Sequence, residues 1–114
     1  MANSCIFCKI TKKELPAKIE YEDEEIVAFD DINPKAPVHI LIVPKKHIES
    51  VNTLAINDAF LIGQMVIVAQ KLAKEKRIDQ SGFRLIINTG KNSGQIVDHI
   101  HLHLIGGQTL SRMV

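Results

Sequence analysis

Near the C-terminal end, His99-Ile100-His101-Leu102-His103-Leu104-Ile105 places three of the chain's five histidines at strict two-residue spacing. Extended backbone sends alternate side chains to opposite faces. The run therefore predicts three imidazoles on one face and Ile100, Leu102 and Leu104 on the other. Neighbouring imidazoles on such a strand stand roughly 6–7 Å apart. Near neutral pH an imidazole donates, accepts, attacks phosphorus or ligates a metal. Two chemistries suit the row: nucleophilic catalysis, or a three-histidine metal site with an open position for water. The second is disfavoured, because consecutive same-face residues converge poorly on one ion at about 2 Å. No carboxylate base stands ready either, since Asp98 falls on the opposite face of a regular strand. The glycine-containing loop 90–94 just upstream lets backbone N–H groups approach an anion closely.

A second constellation lies at the other end of the chain. Cys5-Ile6-Phe7-Cys8 has the spacing at which two thiolates chelate one ion, although a redox pair or two small buried residues would give the same pattern. Lys45-Lys46 follows Pro44 and reads as a solvated turn rather than a phosphate grip. Glu22-Asp23-Glu24-Glu25 reads as an exposed acidic turn. Asn33-Pro34 and Ala36-Pro37 shape the loop before His39.

The elements that must position these groups follow from periodicity. β-favouring runs predict strands at 17–21, 25–31, 38–43, 83–88 and 97–105. Apolar residues recur at helical spacing as Leu61, Met65, Val68, Leu72 and Ile62, Val66, Ala69, Ala73, predicting a long helix over 57–77. Thr53 or Asn57 is placed to cap its start, and Lys74, Lys76 and Arg77 suit its C-terminal end. Segment 5–13 predicts a turn of helix and a loop. The order of elements implies an α+β fold, a mostly antiparallel sheet carrying a helix on one face.

Composition narrows the class. The chain has 114 residues, 46% hydrophobic and 24% charged, which suits one domain over 1–114 with a real core. A formal net charge of +1 provides no basic field for nucleic acid. No apolar run is long enough to span a bilayer, and no leader pattern is present, so the expected compartment is the cytoplasm.

The segment Gly94-Gln95-Ile96-Val97-Asp98-His99-Ile100-His101-Leu102-His103-Leu104-Ile105-Gly106-Gly107 resembles the signature of the histidine-triad (HIT) superfamily, Hint branch. Asp30-Asp31-Ile32-Asn33-Pro34-Lys35-Ala36-Pro37-Val38-His39, Pro44-Lys45-Lys46-His47-Ile48 and Ile6-Phe7-Cys8-Lys9-Ile10 resemble further family segments. The resemblance implies a five-stranded antiparallel sheet with one long and one short helix, assembled as a homodimer. It implies hydrolysis of a purine nucleoside phosphoramidate or related nucleotidyl compound at the α-phosphorus, with AMP, GMP or AMP conjugates as ligands. His101 would be the nucleophile and form a nucleotidyl-histidine, while His103 and His39 would contact the phosphate. Asp31 would hold the ribose, and Phe7, Ile10, Phe29 and Ile32, with Leu15 and Ile6, would form the purine slot. Asn88, Gly94, Gln95 and Ile96 would lie around the ribose and phosphate.

The resemblance also implies a structural zinc ion on Cys5, Cys8, His47 and His99, and no catalytic metal. Alternative functions are a nucleotide-binding regulatory protein with little turnover, or a dinucleoside polyphosphate hydrolase. The chain departs from the family pattern at Ile96, where a hydroxyl residue is usual, and at Asp98, where an aromatic or apolar one is. Its tail after Gly107 is short, and family tails reach toward the partner subunit.

Overall fold

A computed structural model describes residues 4–112; Met113 and Val114, the end of that tail, lie outside them. Helix α1 spans Ile6–Thr11, strand β1 Ile19–Glu22, β2 Ile26–Asp30 and β3 Val38–Pro44. Helix α2 spans Ala59–Glu75, β4 Phe83–Ile86 and β5 Leu102–Gly106. The strands form one five-stranded sheet in the order β1-β2-β3-β5-β4, and every pairing is antiparallel.

The central strands are apolar on both faces because both faces are covered. Ile26, Ala28, Ile40, Ile42, Ile100, Leu102 and Leu104 pack with Leu61, Met65, Val68, Leu72 and Ala73 of α2. Residues one step out of phase, Val27, Phe29, Leu41 and Val43, pack with Phe7 and Ile10 of α1. Met65 and Leu72 are wholly buried; each such side chain stabilises the fold by about 1.5–3 kcal/mol. The short first helix is thus the lid of a second, smaller core, and it brings Cys5 and Cys8 to the histidine face.

The helix starts later than its pattern predicts, and neither Thr53 nor Asn57 caps it. A single 3-10 turn at Ile56–Asp58 precedes it, and Asp58 Oδ2 accepts the Ala55 N–H at 2.9 Å. Thr53 is used in its own turn, where its hydroxyl donates to the Ser50 carbonyl at 3.1 Å. A carboxylate at the entry also suits the helix dipole.

The final strand differs more. Backbone pairing begins at Leu102 instead of residue 97. The register sets Ile42 opposite Leu102, which would bring Pro44 opposite Ile100. Proline has no N–H to give to a ladder, so pairing stops there. Ile100 N–H bonds instead to the Ile48 carbonyl at 2.7 Å, and His99 N–H turns back to Val97 at 2.9 Å. The alternation of faces nevertheless persists through this bend: Ile100, Leu102 and Leu104 join the α2 core, while His99 and His101 meet the Phe7 ring on the other side.

Candidate functional site

His39 on β3 and His103 on β5 lie on the same sheet face, since β3 pairs Leu41 with His103 and His39 with Ile105. Diagonal neighbours of this kind are within reach of each other. Their ring centroids are 5.2 Å apart, and those of His101 and His103 are 4.9 Å apart, closer than the spacing along an ideal strand.

Hydrogen bonds fix where each proton resides. His101 Nδ1 is 2.7 Å from the His99 carbonyl oxygen. A carbonyl only accepts, so Nδ1 carries the proton and the lone pair sits on Nε2. The Lys35 backbone N–H donates to His39 Nδ1 at 3.0 Å, which puts the His39 proton on Nε2. That Nε2–H lies 2.9 Å from His103 Nδ1 and 3.4 Å from Asp31 Oδ2. His103 therefore accepts on Nδ1 and carries its own proton on Nε2. This last N–H is buried and has no partner, one of two such side-chain atoms among the described residues. A buried unpaired donor costs about 1–3 kcal/mol, and an arriving anion would satisfy it.

Burial keeps all three rings neutral. It lowers His101 and His39 below the ordinary imidazole range and, with His101 and His39 alongside, pushes His103 down to about 4. Asp31 acts in the opposite sense on each of them without reversing the direction. The cluster thus offers an uncharged nucleophilic nitrogen beside an uncharged N–H donor.

His101 and His103 open on a cavity of about 430 Å³ whose walls are mostly apolar, among them Phe7, Ile10, Phe29 and Ile32. Asp31, Asn88 and Gly94 supply polar edges. Phe7 stands edge-on to His101 at 4.9 Å and to Phe29 at 5.6 Å, forming one wall. Two predicted residues sit elsewhere. His39 does not line this cavity; it is 5% exposed and reaches the site through His103. Gln95 is occupied as a brace: its Oε1 accepts the Gly90 N–H, and its Nε2 donates to the carbonyls of Glu49 and Val97. It holds the loop in which Gly90 and Gly94 take φ of +82° and +91°, a region L side chains avoid.

The third histidine of the row belongs to a different cluster. Cys5, Cys8, His47 and His99 bring four potential ligand atoms within 4.8 Å of one another. His47 Nδ1 lies 3.2 Å from Cys8 Sγ and from His99 Nδ1. His99 Nδ1 is 3.4 Å from Cys5 Sγ and 3.5 Å from Cys8 Sγ. A tetrahedral ion with metal–ligand bonds of about 2.0–2.3 Å needs edges of about 3.3–3.8 Å, close to the separations here, so the donor set fits one. His99 Nε2–H donates to the Pro44 carbonyl at 2.8 Å, leaving the Nδ1 lone pair toward the thiols. Such an outer bond is how proteins orient a ligand imidazole. Burial and the nearby Cys5 push the Cys8 thiol up to about 11, and burial pushes His99 down to about 4. A bound cation would reverse the first of these by favouring the thiolate.

Asp31, His39 and His103 also lie within 4.8 Å of one another. Their protons, however, leave no lone pair on His39 Nε2, so this set is a hydrogen-bonded relay. Lys45 and Lys46 pair with Glu22 at 3.0 Å and Asp58 at 2.7 Å, outside both clusters.

A wholly antiparallel five-stranded sheet with two helices, carrying an alternating histidine row beside an apolar cavity, defines a histidine-triad architecture. The family profile described as "Scavenger mRNA decapping enzyme C-term binding" matches residues 4–113. The purine nucleoside phosphoramidase of Escherichia coli (strain K12) is 45% identical over 114 residues, covering 100% of this chain and 96% of that protein. A solved HIT family hydrolase from Legionella pneumophila Philadelphia 1 superposes with a TM-score of 0.92 at 46% identity, covering 94% of this chain and 96% of that one. A histidine triad protein from Clostridium difficile gives 0.94 at 44% identity, covering 97% and 96%. The chain belongs to the histidine-triad superfamily, in its Hint-like branch.

Proposed function

We propose that the protein hydrolyses purine nucleoside phosphoramidates at the α-phosphorus. The observation that carries this reading is the pairing of a free His101 Nε2 lone pair with the unpartnered His103 Nε2–H at one cavity. In the first step His101 Nε2 forms a bond to phosphorus and the P–N bond breaks, its electron pair leaving with the amine nitrogen. That nitrogen takes one proton from solvent. In the second step water adds to phosphorus, releases one proton, and the bond to Nε2 breaks with its pair returning to the ring. His103 donates to a non-bridging phosphoryl oxygen as its charge grows, and His39 holds His103 in the donating tautomer. The E. coli relative bears the name of this reaction.

Asp31 is placed to accept from ribose hydroxyls, and Phe7, Ile10, Phe29 and Ile32, joined by Ile6 and Leu15 in the same wall, form a slot for the purine of AMP or GMP. Asn88 and Gly94 border the phosphate end, with Gln95 keeping their loop in shape. Zinc suits the two-sulfur, two-nitrogen set of Cys5, Cys8, His47 and His99. Cys5, Cys8, His47 and His99 would hold it as four protein ligands, so its part would be structural: it would fasten α1, and with it Phe7, to the triad segment. The reaction needs no metal in this scheme. Two copies would join through the unpaired edge of β4 and the half-exposed Val66 of α2. Cysteine thiols that serve as ligands suit the reducing cytoplasm; no helix among the described residues is long and apolar enough to cross a membrane.

The test is hydrolysis of adenosine 5′-phosphoramidate, with chelator present, by the wild type and by His101→Ala. The expected outcome is a loss of about 10⁴-fold or more in kcat with AMP binding kept within a few-fold. A wild type that binds AMP and turns nothing over would overturn the hydrolase reading in favour of a nucleotide-binding regulator.

A further inference from the structure

Ile96 is 93% exposed and Ile6 52%, although both sit beside the catalytic cavity. Isolated surface isoleucines need no explanation, but these two share one edge. Ile6, Ile96 and Val97 line the main cavity and also a second depression of about 300 Å³ that adjoins it. That depression touches none of Phe29, Asp31 and Ile32, the wall assigned above to base and ribose. Ser4, Cys5 and His47 also line it, the last two shared with the two-cysteine cluster; Glu49 and Asp98 stand on it, both exposed, and among the described residues no lysine or arginine does.

We infer that this depression is the leaving-group subsite, and that Ile96 selects phosphoramidates whose amine carries an apolar group. The inference rests on the hydrolase reading and deepens it. With the nucleoside held on the Asp31 side and phosphorus at His101, a substituent on the departing nitrogen extends across the edge that the two pockets share. There it meets aliphatic surface from Ile6, Ile96 and Val97, and gains by taking that surface out of water. The carboxylates of Glu49 and Asp98 disfavour an anionic leaving group such as a nucleoside polyphosphate. A hydroxyl in place of Ile96 would give up the apolar contact. The amine leaves as in the scheme above, with the P–N electron pair and one proton from solvent.

The experiment compares kcat/KM for adenosine 5′-phosphoramidate bearing an N-(2-phenylethyl) group with that for the unsubstituted compound, in the wild type and in Ile96→Ser. The wild type should favour the phenylethyl compound, and Ile96→Ser should lower that preference about tenfold, the discrimination one apolar contact supplies. The ratio cancels any effect on nucleotide binding common to both compounds. Hydrolysis of both with the ratio unchanged in Ile96→Ser overturns the inference alone. Hydrolysis of neither by the wild type overturns the hydrolase reading, and the inference with it. The double variant Glu49→Gln/Asp98→Asn should raise kcat/KM for diadenosine triphosphate relative to the phenylethyl compound by about threefold; no rise removes the assigned role of the two carboxylates.

Discussion

Two clusters of imidazoles lie side by side on one face of this sheet, fed by a single alternating run, and they do opposite things with their lone pairs. In the Cys5/Cys8/His47/His99 cluster the His99 proton is drawn outward to the Pro44 carbonyl, and the ring turns its lone pair inward to the thiols. In the His39/His101/His103 cluster the protons form a directed series. Lys35 N–H donates to His39, His39 donates to His103, and His103 is left with a donor to spare, while His101 keeps a lone pair. One set has two thiols and the other has none, and the backbone carbonyl or N–H that meets each ring completes the difference between a set able to hold a metal and one able to do acid–base and nucleophilic chemistry. Phe7 touches both clusters, at 5.9 Å from His99 and 4.9 Å from His101, and links them together with the bond from His101 Nδ1–H to the His99 carbonyl.

The relay is the more sensitive of the two clusters. His39→Ala removes the group that sets the His103 tautomer and lies outside the cavity lining. It should lower kcat by about 100-fold or more with KM for the phosphoramidate changed only a few-fold. A drop in binding without a drop in kcat would show that His39 shapes the pocket instead of directing a proton.

The complementary change is Cys8→Ser. It should abolish stoichiometric zinc and lower Tm by about 10 °C, the scale of 2–3 kcal/mol in a domain of this size. Its kcat should remain within about threefold of wild type, since no step passes through the metal. Zinc content is read by elemental analysis and Tm by calorimetry. A loss of kcat as large as that in His39→Ala would mean the two clusters form a single working unit.

The smallest expected effect is a flat pH profile. His103 is pushed down to about 4, and His101 and His39 are lowered by burial. Because each folded-state value is depressed, the neutral form persists below the ordinary 6.5. As pH falls from about 8 through 6.5, kcat/KM should change by less than about twofold. Stability follows the same sign: below 6.5 the unfolded chain takes up protons that half-buried His103 refuses, so folding weakens progressively toward about 4. A kinetic midpoint at 6.5 or above would contradict the neutral-imidazole cluster.

Much of this molecule could be read from its residues. Period-two alternation assigned Ile100, Leu102 and Leu104 to one face and the histidines to the other, and it did so even across a bend. Helical periodicity found the inward face of α2 from Leu61, Met65, Val68 and Leu72. Other features left no local trace. That β5 pairs only from Leu102 depends on Pro44, 58 residues away on a different strand. That Asp58 and not Thr53 or Asn57 guards the entry to α2 depends on the turn formed by Ala55. The resemblance placed Gln95 among the loop contacts to a nucleotide; that its side-chain amide is bonded to Gly90, Glu49 and Val97 left no local trace in the sequence.

Which groups are present, and which face each presents, were legible in the residues alone, because those depend on side-chain type and on a backbone period that neighbouring residues impose. The sequence carried the two-cysteine spacing, the histidine row and the apolar faces of sheet and helix. The packing of distant segments set one histidine of the row against the cysteines and two against His39. It also decided where each imidazole proton lies and which isoleucines remain in solvent. Those outcomes turn on carbonyls, N–H groups and carboxylates brought together from distant parts of the chain, and hydrogen bonding and burial act over a few ångströms of space whatever the separation in sequence.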